Sequence, residues 1–153
     1  MPVNLSAPTI SSLLPVDGVE IGITSAGIKT EGKQDLVLIK IADGSTTASV
    51  YTNNAFCAAP VILSKQHQQQ TSPKYLLINS GNANAGTGKQ GMESAQNCCQ
   101  AVAETASVEA NTVLPFSTGV IGQQLPVEKI TQVIPQAYQN LNSDNWFEAA
   151  HAI

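Results

Sequence analysis

The residues best suited to chemistry lie in two glycine-bearing segments, 79–91 (Asn79-Ser80-Gly81-Asn82-Ala83-Asn84-Ala85-Gly86-Thr87-Gly88-Lys89-Gln90-Gly91) and 117–122 (Ser117-Thr118-Gly119-Val120-Ile121-Gly122). The first packs four glycines and three asparagines into thirteen positions, denser than a turn needs. Gly and Asn enter positive φ at little cost, so such a segment can fold tightly and aim backbone N–H groups at one point. Donors fixed in that way suit an anion, or a negative charge that develops during a reaction. In the second segment the Thr118 hydroxyl and the Gly119 N–H could aim at one point, as the oxyanion of a tetrahedral intermediate requires. The alternative for 117–119, taken alone, is a Ser/Thr turn with a glycine. For 79–91 it is a purely structural tight loop.

The chain offers donors but no evident nucleophile or base. His67 sits in a glutamine-rich stretch and His151 near the end of the sequence, neither with a Ser or Cys partner at a recognised spacing. Both read as solvated or interfacial. Cys57, Cys98 and Cys99 are odd in number and two are adjacent, which is neither a disulfide framework nor a zinc spacing. They read as buried structural thiols, and no metal is expected. Residues Gly86 to Gly91 match G-x-G-x-x-G literally. A dinucleotide fingerprint needs its first glycine directly after a strand and a helix opening inside the motif; here Ser80 to Ala85 intervene and the helix is expected only from Gly91. A P-loop fails too, because Ala83 stands where its first glycine should be and Gln90 where its Ser or Thr should be.

Composition narrows the function classes. A length of 153 residues is that of one ordinary domain, with 42% apolar residues to build a core. Charged residues make up only 12%, about half the usual share, so part of the surface is expected to lie under another chain. A net charge of −4 without a Lys/Arg cluster argues against nucleic acid or an anionic membrane as partner. No apolar run approaches the ~20 residues that span a bilayer, and the first residues lack the pattern of a signal peptide. A cytoplasmic location is expected.

The elements that must position the two segments follow from pattern. Residues 1–16, with three prolines and three serines, read as an irregular lead-in. Val19 to Ile23 and Asp35 to Ala42 read as strands. The Asp43-Gly44-Ser45 turn and the run Thr46 to Thr52 suggest a hairpin over 35–52. Ala58 to Leu63 is a short strand or a helix start, and Gln66 to Pro73 a polar connector. Tyr75 to Ile78 reads as a strand leading into the first glycine segment, and Val113 to Phe116 as one leading into the second. Met92, Ala95, Cys99, Val102 and Ala106 mark one face of a helix. Pro126 starts another, carried by Val127, Ile130, Ile134, Ala137 and Tyr138, which Pro135 should kink or end. Ser143 is placed to cap a last helix whose apolar face is Trp146, Ala149, Ala150 and Ile153. That helix stops in mid-pattern, which suggests a piece of a longer protein. No repeat or internal boundary is apparent, so 1–153 reads as a single domain.

Several stretches resemble the bifunctional ornithine acetyltransferase family, the glutamate N-acetyltransferases of arginine biosynthesis. They are Gly27-Ile28-Lys29 followed by Asp35-Leu36, the run from Tyr51 to Val61, and both glycine segments. The likeness runs in order from about Gly18 to Ile153. It implies an α/β (α+β) fold: a layered sandwich of mixed sheets with flanking helices, of the N-terminal-nucleophile type. It implies a precursor that cleaves itself into α and β chains, with the new N-terminal Thr of the β chain as nucleophile. Acetyl would pass from N-acetylornithine to glutamate through an acyl-enzyme; acetyl-CoA is a further co-substrate in bifunctional members, and no cofactor is needed. The αβ unit would pair into α2β2. Thr118 and Gly119 fall on the family's oxyanion pair, and Asn79, Gly81, Asn82 and Asn84 would support that loop or bind substrate. This chain would be most of an α chain, inactive alone. A related N-terminal-nucleophile amidohydrolase or aminopeptidase, with water as acyl acceptor, is one rival. A non-catalytic phosphate- or nucleotide-binding module on Gly86 to Gly91 is the other.

Overall fold

A computed structural model of the chain describes residues 9, 10 and 13–153. Most of the expected lead-in therefore lies outside the described residues, and 13–16 take no regular structure. Four strands form one sheet in the order β1 (Val19–Thr24), β2 (Leu36–Ile41), β3 (Tyr75–Asn82), β4 (Val113–Val120). The first two pairings are antiparallel and β3–β4 is parallel, with Tyr75 opposite Val113 and Asn82 opposite Val120. Four helices complete the fold: α1 (Ala59–Gln70), α2 (Gly88–Ala106), α3 (Val127–Gln139) and α4 (Trp146–Ala152). This is the mixed α+β class read from the sequence.

The continuous apolar run of β2 is explained by burial on both faces. Leu36 and Leu38 pack with Leu77 and Val113 against Leu63 of α1, Cys99 and Val102 of α2, and Ile130 and Ile134 of α3. Val37 points the other way, into a smaller cluster with Ile21, Ile23, Ala149 and Ala152, flanked by Trp146. Each buried Leu, Ile and Val among these contributes roughly 1.5–3 kcal/mol. At Gly22 β1 runs so close to α3 that a Cβ would fall 1.8 Å from the Ala137 carbonyl oxygen.

Several expectations are corrected. The hairpin over 35–52 does not form: residues 46–52 make no strand, and β2 pairs with β1 and β3 instead. Ala59 to Gln70 is one helix, so the polar glutamine run is not a connector. Gln is a good helix former, and nothing between Val61 and Gln70 breaks the turn. Helix α2 opens at Gly88, not Gly91. At Gly91 a Cβ would lie 1.8 Å from Thr87 Oγ1, so that glycine serves close packing inside the helix. Helix α3 does not end at Pro135. Pro135 is exposed, where water can take the carbonyl its missing N–H leaves free, while Ile130, Ile134 and Ala137 anchor the buried face. The N-cap position of the last helix is Asn145, not Ser143; its side chain makes no capping hydrogen bond and donates instead to the Ile21 and Asn140 carbonyls, while Asn142 Oδ1 accepts the Asp144 N–H just ahead of it. Its inward face is Trp146, Ala149 and Ala152; Ala150 and Ile153 are exposed.

Candidate functional site

Only part of each glycine segment is loop. Residues 79–82 and 117–120 are the carboxyl ends of β3 and β4, paired as Asn79 with Ser117, Ser80 with Thr118, Gly81 with Gly119 and Asn82 with Val120, and 83–87 then form the loop into α2. Their composition hid this, since Gly and Asn are depleted in strands. The carboxyl ends of parallel strands joined through a helix are a common place for a ligand site.

The close approach demands the glycines. Gly119 has φ +137°, and a Cβ there would fall 2.3 Å from the Gly81 carbonyl carbon and 2.5 Å from the Asn82 nitrogen. Gly81 has φ +98°, and a Cβ there would lie 3.2 Å from Lys29 Cβ and 3.3 Å from Ile28 Cγ2. Both conformations are strained for any residue with a side chain.

Beneath this pair lies a buried amide network. Ser117 Oγ donates to Asn79 Oδ1 at 2.6 Å, and Asn79 Nδ2 donates to the Asn82 carbonyl at 2.8 Å. Asn82 Nδ2 reaches the carbonyls of Gln123 and Gln124, while its Oδ1 accepts the Asn84 N–H at 2.8 Å. Asn84, with φ 45° and no exposed surface, donates to the Gly91 carbonyl and accepts from Thr87 Oγ1, each at 2.8 Å. The three asparagine side chains are thus held by the chain itself and lock the ends of β3 and β4 to the start of α2. Polar groups buried in this way must be satisfied, and a satisfied network is rigid.

Above the network the donors are free. β4 is an edge strand. Val120 accepts the Ala83 N–H on the β3 side, whereas the carbonyls of Val113 and Pro115 accept on the far side from His67 Nδ1 and Ser64 Oγ of α1. Strand alternation therefore turns the Gly119 N–H away from β3. Thr118 is exposed and its hydroxyl has no partner among the described residues. The pleat sets it on the face of Phe116, which is 43% exposed, the face that α4 covers over β1 and β2. Two unengaged donors on adjacent residues, on a rigid backbone, are what stabilisation of a developing oxyanion needs. An apolar cavity of about 560 Å³ lies between residues 47–52, the first turns of α1, and Leu114 to Ser117; neither Thr118 nor Gly119 lines it.

The other candidates fall elsewhere. His67 is half-buried and its Nδ1 lies 2.8 Å from the Val113 carbonyl, which makes it a tie between α1 and β4 rather than a solvated group. His151 is exposed and meets Phe147 edge-on at 4.6 Å. Burial pushes the Cys98 thiol up to about 12 and the Cys99 thiol further, the latter helped by its neighbour. Cys57 is only partly buried, unlike the expectation for all three. Among the described residues no three His, Cys, Asp or Glu side chains gather as metal ligands, and no helix is long and apolar enough to cross a membrane. A Cβ at Gly86 would lie 3.4 Å from Phe56 Cζ, so an aromatic ring sits beside the glycine-rich turn. The sequence reading passed over the carboxylate of Asp35, buried beside the site. A lone acid ahead of an apolar strand, just after Gly27-Ile28-Lys29, was the available signal.

The ArgJ family matches residues 20–153. The chain is 54% identical over 144 residues to the arginine biosynthesis bifunctional protein ArgJ of Pseudomonas syringae pv. tomato, covering 94% of this chain and 35% of that protein. It is 49% identical over 141 residues to the protein of the same name from Methylococcus capsulatus, covering 92% and 34%. The chain thus spans about a third of the length of these relatives. Among solved structures, ornithine acetyltransferase from Mycobacterium tuberculosis, complexed with ornithine, superposes with a TM-score of 0.85 at 33% identity, over 91% of this chain and 76% of that one. The arginine biosynthesis bifunctional protein of Bacillus halodurans gives a TM-score of 0.73 at 34% identity, over 78% and 63%. With a family match over nearly all its length and the same fold at that identity, the chain belongs to the ArgJ family.

Proposed function

We propose that this chain is most of the α chain of a self-cleaving glutamate N-acetyltransferase of arginine biosynthesis, and that Thr118 and Gly119 are its oxyanion donors. The observation that carries the reading is the pair of unengaged donors on a backbone fixed by the Gly81–Gly119 contact. Family membership and the names of its relatives support the reaction class.

In this reading the nucleophile is the N-terminal Thr of the β chain, whose own α-amino group serves as base. That removes the need for a catalytic histidine, which the chain does not offer. The Thr hydroxyl attacks the acetyl carbon of N-acetylornithine, and its proton passes through the Thr α-amine to the ornithine α-nitrogen, which leaves as the free amine. The glutamate amine then attacks the resulting ester and regenerates the hydroxyl. Each step passes through a tetrahedral oxyanion that the Thr118 hydroxyl and the Gly119 N–H would hold, as would the self-cleavage step. Asn79, Gly81, Asn82 and Asn84 set the position of those donors. No cofactor takes part, and acetyl-CoA is a second acetyl donor if the enzyme is bifunctional. The partner is the β chain, with αβ units pairing into α2β2.

The test is intact-mass analysis of the protein purified from its native gene. A co-purifying second polypeptide that begins with Thr is the expected result. A gene product of these 153 residues alone, with nothing co-purifying, would remove the catalytic reading.

A further inference from the structure

Asp35 is the point where four backbone segments meet. Its carboxylate is buried, 4% exposed, and accepts the Ala26 N–H on Oδ1 and the Ile28 N–H on Oδ2, both at 2.6 Å. Its own N–H donates to the Thr24 carbonyl at 3.2 Å, and its carbonyl accepts the Ser80 N–H at 2.9 Å. Ser80 is the register partner of Thr118. The clamped turn also delivers Ile28 and Lys29 onto the open side of Gly81, the register partner of Gly119. From outside, Lys129 Nζ of α3 donates to the Gly27 carbonyl at 2.8 Å and holds the same turn.

One residue thus bears on both neighbours of the free donors, and its carboxylate holds the turn beside one of them. Through its main chain it fixes Ser80 behind Thr118. Through its side chain it seats the 26–29 turn beside Gly81, on the side where a Cβ would project. A carboxylate that accepts two main-chain N–H groups sets backbone position more firmly than a neutral acceptor, because charge-assisted hydrogen bonds are shorter and stronger. We infer that Asp35 is a positioning residue for acyl transfer, aligning the Thr118 and Gly119 donors through the 26–29 turn and Gly81. The inference rests on the reading of Thr118 and Gly119 as oxyanion donors.

The experiment is a double-mutant cycle in the enzyme made from the whole native gene. In Asp35→Asn one acceptor oxygen becomes an amide that faces a main-chain N–H, so one side of the clamp opens. Misplacement by a fraction of an ångström is expected to lower kcat about tenfold and leave KM within about twofold. Thr118→Ala alone should lower kcat about a hundredfold. If Asp35 acts through those donors, the double variant should be slower than Thr118→Ala by about threefold at most, because only the Gly119 donor is left to misplace, a coupling that a merely structural role does not produce. Ile28→Ala, which leaves the clamp and removes the methyl groups from Gly81, should show a smaller fall with the same coupling. It also decides the matter if Asp35→Asn does not fold. Wild-type kcat in both Asp35→Asn and Ile28→Ala, or a double variant slower by the full product, overturns the inference while the oxyanion reading stands. Wild-type kcat in Thr118→Ala overturns both.

Discussion

Gly81 and Gly119 face each other across the β3–β4 ladder with no room for a methyl group between their main chains: a Cβ on Gly119 would lie 2.3, 2.5 and 2.7 Å from three backbone atoms of Gly81 and Asn82. Backbone cannot swing aside as a side chain can. The close approach of these two strand ends therefore depends on the missing side chain at Gly119, directly beside Thr118.

The two glycines should not be equally sensitive. Gly119→Ala combines φ +137° with a backbone collision, and is expected to cost about 3 kcal/mol or more. Gly81→Ala has φ +98° but meets only the side chains of Lys29 and Ile28 at 3.2 and 3.3 Å, and is expected to cost about 1–2 kcal/mol. Urea unfolding midpoints should fall in the order wild type, Gly81→Ala, Gly119→Ala. An inverted order would mean that the backbone contact is not what selects glycine at 119.

Thr118 should separate stability from activity. Its side chain is exposed and engages nothing among the described residues, so Thr118→Ala should move the melting temperature by no more than a degree or so. Acetyl transfer by the whole enzyme should fall about a hundredfold, and Thr118→Ser should keep most of it. A large stability loss together with full activity would identify Thr118 as a structural residue.

How far this could be read in advance depends on the residue. Strands β1 and β2 were plain from branched apolar runs, and α2 and α3 from apolar residues at helical spacing. The donors at Thr118 and Gly119 were visible as types, though not as a strand end, because glycine usually signals that a strand has stopped. Here Gly81 and Gly119 let two strands continue side by side, and only the register reveals it. The run Thr46 to Thr52 misled in the opposite sense: its β propensity is real, but both edges of β2 are taken by β1 and β3. The role of Asp35 depends on main-chain N–H groups at Ala26 and Ile28, which no side-chain pattern announces.

Asn84 should be the asparagine least open to change. Its amide serves the Gly91 carbonyl and the Thr87 hydroxyl inside the protein, and its φ is 45°. Asn84→Ala strands both partners and strains the backbone, for an expected loss of about 3 kcal/mol. Asn84→Gly removes the same bonds but suits the positive φ, so it should recover up to about 1 kcal/mol. Equal losses in the two variants would show that backbone conformation contributes nothing here.

The thiols give a prediction in pH. Burial raises the Cys98 thiol from 9.0 to about 12 and pushes Cys99 up as well, and burial is also the main reason the Tyr75 hydroxyl rises from 10.0 to about 12. In the unfolded chain these groups ionise near their ordinary values, so between about pH 9 and 12 the unfolded state has lost protons that the folded state keeps. Unfolding then becomes easier as pH rises, since stability falls wherever the unfolded state binds fewer protons. The urea midpoint should be flat near neutrality and decline from about pH 9, and Cys98→Ala should shallow that decline. Under native conditions at pH 8 a disulfide reagent should titrate Cys57 first, the one thiol only partly buried, and reach Cys98 and Cys99 on unfolding, because the thiolate is the reactive form. Rapid reaction of all three thiols in the folded protein would show that the α2 face carrying Cys98 and Cys99 opens far more readily than its burial implies.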